Sequence, residues 1–139
     1  MKASNMKKIL STTLIFIVAL SLFSCQAGPY PFKISEAEIE SIEIVSAESS
    51  LDFTVVKTLS EDKEEDFLKR FQEIKFSKYF GDPTKIYGNA VKINYKDGSY
   101  EMICNYTAEY VKDGTVYFLF RSCQEEEKFD NLINEFSEE

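Results

Sequence analysis

Two Asp-Gly pairs, Asp97-Gly98 and Asp113-Gly114, lie between runs of alternating apolar and polar residues, and they constrain the fold more than any other feature. An Asp-Gly pair in that setting marks a β-hairpin, because a tight two-residue turn needs positive φ at both central positions. Before the first pair, Val91, Ile93 and Tyr95 alternate with Lys92 and Asn94, and a strand over 99–105 returns from it. The second pair precedes a strand over 115–122. Two earlier alternating runs, 38–46 and about 53–58, flank the polar turn Ala47-Glu48-Ser49-Ser50 and read as another hairpin.

Helical spacing occurs twice. Phe67, Leu68, Phe71 and Ile74 predict an amphipathic helix over 61–75, with Ser60 as its N-cap. The acidic cluster Glu61, Asp62, Glu64, Glu65 and Asp66 complements the dipole of that helix. It lacks the glycine-centred spacing of a calcium loop, so no metal is expected there. Ser122-Cys123-Gln124-Glu125 fits a capping box, and Phe129, Leu132, Ile133 and Phe136 then predict a closing helix over 123–137. The expected fold is α+β in the order ββα-βββα, an antiparallel sheet of about five strands with two helices on one face.

Turn length fixes register, and register decides which side chains share a face. With a two-residue turn at Asp97-Gly98, Tyr95 faces Tyr100, Ile93 faces Met102 and Val91 faces Cys104. At Asp113-Gly114, Val111 faces Val116 and Tyr110 faces Tyr117; an unbulged ribbon would extend this to Cys104 opposite Cys123. The core face then carries Val91, Ile93, Tyr95, Met102, Cys104, Tyr106, Tyr110, Tyr117 and Leu119. The other face carries Lys92, Asn94, Glu101, Asn105, Thr107 and Glu109 with Phe118 and Phe120. Two Phe among polar neighbours make a candidate binding patch; the alternative is a bulge or a cover that takes them out of solvent. The same register makes Cys104 and Cys123 a candidate disulfide, worth on the order of 3 kcal/mol by loop closure; buried free thiols are the alternative.

Residues 79–89 form the loop whose composition best suits recognition, with Tyr79, Phe80 and Tyr87, two glycines and a proline. Phe80 and Tyr87 could equally plug the end of the sheet.

The N-terminus has a different character. Lys7 and Lys8 precede the apolar stretch Ile9-Leu10-Ser11-Thr12-Thr13-Leu14-Ile15-Phe16-Ile17-Val18-Ala19-Leu20, which ends at Phe23 and is shorter than the ~20 residues that span a bilayer. Leu22-Phe23-Ser24-Cys25 resembles the lipobox of bacterial lipoprotein precursors, the resemblance covering residues 6–25. It implies that 1–24 are a cleaved signal peptide and that Cys25 carries a diacylglyceryl group, with 25–35 as lipidated Cys and tether and 36–139 as one extracytoplasmic domain. The expected location is then the cell membrane, lipid-anchored on its extracytoplasmic side. Gln26 to Phe32 holds two prolines and a glycine and favours extended backbone.

Composition narrows the function. Lys2, Lys7 and Lys8 precede Cys25, so the mature part keeps 13 of the 16 basic residues against all 24 acidic ones, a net of -11. That charge repels nucleic acid and anionic headgroups. The chain has no histidine, and its five glycines build no phosphate loop, so neither an enzyme nor a cofactor is expected. The expected role is binding a protein or peptide partner through Tyr79, Phe80, Tyr87, Phe118 and Phe120. The alternatives are an inhibitor or immunity-type protein acting on an exported enzyme, or a small-ligand carrier with an aromatic-lined pocket between sheet and helices.

Overall fold

A computed structural model describes residues 27–139; the signal-peptide and Cys25 readings lie outside the described residues. The elements are β1 (Ile39–Ser49), β2 (Asp52–Thr58), α1 (Glu61–Phe71), β3 (Phe76–Lys78), β4 (Gly88–Tyr95), β5 (Tyr100–Ile103), β6 (Ala108–Lys112), β7 (Thr115–Phe118), β8 (Arg121–Cys123) and α2 (Glu126–Glu138). The fold is α+β. Its main sheet has six antiparallel strands rather than five, in the order β2-β1-β4-β5-β6-β7, and β3 pairs with β8 in a separate ribbon.

The extra strands have identifiable causes. Residues 99–112 are not one ribbon. A turn in which the Cys104 N–H donates to the Thr107 carbonyl reverses the chain, so β5 pairs with β6 as a third hairpin. The expected strand over 115–122 is split into β7 and β8, and Cys123, expected to open the closing helix, ends β8. Cys123 and Arg121 pair with Phe76 and Lys78. The Gln124 N–H continues that pairing to the Lys75 carbonyl, and Glu125 accepts the Lys75 N–H at 2.9 Å. The helix therefore starts at Glu126, and the Ser122 capping box does not form.

The two Asp-Gly turns behave differently. Asp113 and Gly114 both have positive φ, and the strands pair Val111 with Val116 and Tyr110 with Tyr117 as expected. At Asp97-Gly98 only Gly98 has positive φ, and Tyr95 bonds to Ser99 across a three-residue loop. Such a loop is a type I turn closed by a left-handed residue in a bulge. Partners therefore shift by one residue, to Ile93 with Glu101 and Val91 with Ile103. A one-residue slip inverts a strand's faces. Met102 and Cys104 leave the expected core face, and Glu101 enters it.

Two cores result. The helices cover one face, where Phe67, Phe71, Phe129, Leu132, Ile133 and Phe136 pack with Ile42, Ile44, Val91, Ile93, Tyr95 and Ile103. The opposite face is not open. Val45, Ala47, Ala90, Met102 and Cys104 are buried there with Ile86, from the segment between β3 and β4. The N-terminal stretch expected to be a tether is docked as well. Gly28 exchanges both backbone hydrogen bonds with Phe76, and Tyr30 is buried against Phe71 and Phe76. The apolar side chains Tyr30, Phe32 and Ile34 supply the reason, since they cover what α1 and β3 leave exposed.

Candidate functional site

The chain between β3 and β4 carries the features of interest, and two buried glutamates fix its surroundings. Glu109 accepts the Ile86 N–H and the Ser50 hydroxyl, each at 3.0 Å. It thereby ties both that segment and the β1–β2 turn to the sheet. Glu101, on the helix-covered face, accepts the Tyr30 hydroxyl at 2.9 Å, the Lys33 N–H at 3.1 Å and the Tyr95 hydroxyl. Burial pushes its carboxyl above the usual range, opposed by those hydrogen bonds. The register slip at Gly98 hid this role. The two carboxylates sit on opposite faces of neighbouring strands and do not converge on a common cleft.

Four of the five aromatics singled out from the sequence come together. The Tyr79 N–H donates to the Phe120 carbonyl at 2.9 Å, continuing the β3–β8 ribbon. Tyr79 and Phe118 meet edge to face at 6.1 Å between centroids, and Phe118 and Phe120 at 4.4 Å. Phe80 beside them is 89% exposed and Phe120 47%. Phe118 is half-buried. Tyr79, Phe80 and Phe120 line a depression of about 380 Å³ with Lys78 and Arg121, and Phe118 lines the adjoining hollow. Phe120 has φ 52, a conformation costly for a bulky side chain. A Cβ at Gly81 would overlap the outer end of the Tyr79 ring, so a larger residue there would displace that ring.

Tyr87 lies elsewhere, 63% exposed at the start of β4. It joins Asn89, Asn105, Tyr106, Asp130, Ile133 and Asn134 around a second depression of about 420 Å³. The Tyr106 hydroxyl lies within hydrogen-bond reach of the Lys85 and Tyr87 carbonyls, at 3.1 and 3.2 Å, so the rim is held in place. The Asn105 amide donates to the Asp130 carboxylate at 3.2 and 3.3 Å. The sequence carried one unused signal for this groove. Asp130 and Asn134 stand four apart beside the buried Ile133, which puts both on one flank of α2.

The candidate disulfide is not formed. Cys104 and Cys123 are free, buried and in different cores, because the Cys104–Thr107 turn breaks the ribbon that would have opposed them. Burial pushes both thiols up, Cys123 to about 11, which leaves them protonated and weakly nucleophilic at neutral pH. Among the described residues no helix is long and apolar enough to cross a membrane, and no group of three or more Cys, Asp or Glu is placed to hold a metal ion. No protein family, curated protein or solved structure matches the chain.

Proposed function

We propose that the chain is a membrane-anchored extracytoplasmic lipoprotein whose domain binds a protein partner through an extended, basic segment of that partner. The groove beside Tyr87 carries this reading. The Asn89 and Asn134 amides offer donors and acceptors that suit a peptide backbone, and two Tyr rings supply rigid contact area at low entropic cost. Asp130 sets the preferred charge, in keeping with a mature net charge of -11. The Tyr106 hydroxyl holds the rim, so binding has little ordering left to do. A small-ligand carrier is less well supported, because Phe67, Phe71, Phe129 and Phe136 fill the space between sheet and helices. The buried glutamates are engaged by hydroxyls and N–H groups, and no catalytic role is proposed for them.

The test is a photo-crosslinking residue in place of Tyr87, with one in place of the exposed Val55 on the sheet edge as control, in intact cell envelopes. A discrete protein adduct from position 87, absent from position 55 and lost with Asp130→Lys, is the expected result. Equal adducts from both positions, or indifference to Asp130→Lys, would remove the groove from consideration.

A further inference from the structure

The aromatic cluster of Tyr79, Phe80, Phe118 and Phe120 has no part in that groove; β5 and β6 separate Phe118 on β7 from the start of β4. We propose that this cluster is a membrane seat: Phe80 and Phe120 insert at the headgroup level of the bilayer that holds the Cys25 lipid, with Lys78 and Arg121 on the phosphates. The inference rests on the reading of Cys25 as lipidated.

Three observations select a bilayer as the occupant. The first is chain direction. Gly28 pairs antiparallel with Phe76, so at Gly28 the chain runs opposite to β3, and its N-terminal direction there is the one in which β3 leads to Tyr79 and Phe80. Cys25 is three residues before Gly28, and three residues reach at most roughly 11 Å. A lipid on Cys25 therefore holds this end of the domain against the membrane surface.

The second is local charge. In a strongly acidic domain, the depression at the cluster is lined by Lys78 and Arg121 and by no acidic side chain. The adjoining hollow adds Lys33, with Glu101 buried beneath it. Among the described residues Lys33, Lys78 and Arg121 make no salt bridge. Asp82 is the nearest acidic residue in sequence and lies beyond Gly81. An anionic leaflet attracts such cations by about 1 kcal/mol each and repels the acidic remainder, which turns this end toward the lipid.

The third is the side chains themselves. Tyr at the edge and Phe at the tip reproduce the amphipathic grading of membrane-interface residues. The left-handed backbone at Phe120 holds its ring in solvent against a local cost.

The chain contains no tryptophan, so a single one reports its own surroundings. Full-length precursor would be processed in cells and the mature protein purified with its lipid. It would then be placed in phosphatidylglycerol–phosphatidylethanolamine vesicles carrying brominated acyl chains. Phe80→Trp is the reporter, Tyr87→Trp the control, and intact mass with vesicle flotation is read on every sample. With the lipid mass present and flotation complete, the reporter at position 80 is expected to shift to the blue and be quenched, while that at 87 is not. Adding Lys78→Glu and Arg121→Glu should reverse both effects without release from vesicles.

If the lipidated protein floats but position 80 is unquenched, the seat is overturned and the anchor stands. A crosslink from position 80 to a protein in native envelopes, without quenching, would likewise assign the cluster to a protein. If the lipid mass is absent and flotation fails, the anchor reading falls and takes the seat with it.

Discussion

The two faces of the sheet solve one problem in different ways. Each buries a glutamate, and each glutamate pins a segment with little regular structure of its own. Glu101 sits under the helices among aromatic rings and holds Tyr30 and Lys33 of the N-terminal segment. Glu109 sits on the far face at the margin of a small core and holds Ile86 and Ser50. The helix face has enough apolar mass to drive folding. The far face is small and depends on the segment between β3 and β4 lying down on it. The contrast shows that a buried carboxylate can act as a clip wherever neutral donors converge on it.

Cavity-forming substitutions should separate the faces most strongly. Phe71 contacts Tyr30, Phe32, Phe67, Phe76 and Phe129, so Phe71→Ala should cost about 4 kcal/mol in urea unfolding. Ile86→Ala should cost about 2 kcal/mol, since its surroundings belong to an irregular segment free to collapse. It should also deprotect the amides of 79–87 in hydrogen exchange while leaving the main sheet protected. Equal losses at the two sites would mean that the far-face core is as integral as the helical one.

The glutamates come next. Glu101→Ala leaves two buried tyrosine hydroxyls and an N–H without their acceptor and should cost about 3 kcal/mol; Glu109→Ala, nearer the margin, about 1–2. Glu101 should also make stability depend on pH. Its folded-state carboxyl is pushed up by burial. Its contribution to stability is therefore fully present below the ordinary glutamate range and is lost as pH rises through the folded-state value. Urea midpoints taken at rising pH should fall across that window, and Glu101→Gln should flatten the fall. A wild-type midpoint that climbs there instead would contradict this sign.

How much of this was legible depended on turns. Asp113-Gly114 gave its register correctly because Asp113 and Gly114 both adopt the left-handed conformation a two-residue turn needs. The same dipeptide at 97–98 closes a three-residue loop, a choice the dipeptide leaves open. That single residue moved Met102, Cys104 and Glu101 to the wrong faces. The turn at 104–107 has neither Gly nor Pro to announce it, so β5 and β6 read as one strand and the cysteines as a pair. Both helical stripes were plain, since Phe67, Phe71, Phe129, Leu132, Ile133 and Phe136 are all buried, though the first helix ends at Phe71 before Ile74 and the second starts at Glu126 rather than Cys123. The aromatic residues of 79–89 were chosen on composition, and Phe118 and Phe120 on the face that register assigned them. Their division into a cluster and a separate Tyr87 follows from the pairing of β8 with β3, a partner that the expected strand over 115–122 did not name.

The smallest effect should come from the residue that most separates surface role from scaffold. Phe120 has φ 52 and a half-exposed ring against Phe118. Asn tolerates that backbone far better, a gain of about 1 kcal/mol. Losing an exposed aromatic pair costs about the same, roughly 0.5–1.5 kcal/mol. Phe120→Asn should therefore leave stability within about 0.5 kcal/mol of wild type, against several for Phe71→Ala. The ring would then contribute little to holding the domain together, which is expected of a side chain kept for contact outside the molecule. A loss of about 2 kcal/mol would instead make Phe118 and Phe120 part of the scaffold, and the division between a structural interior and an aromatic surface end would not stand.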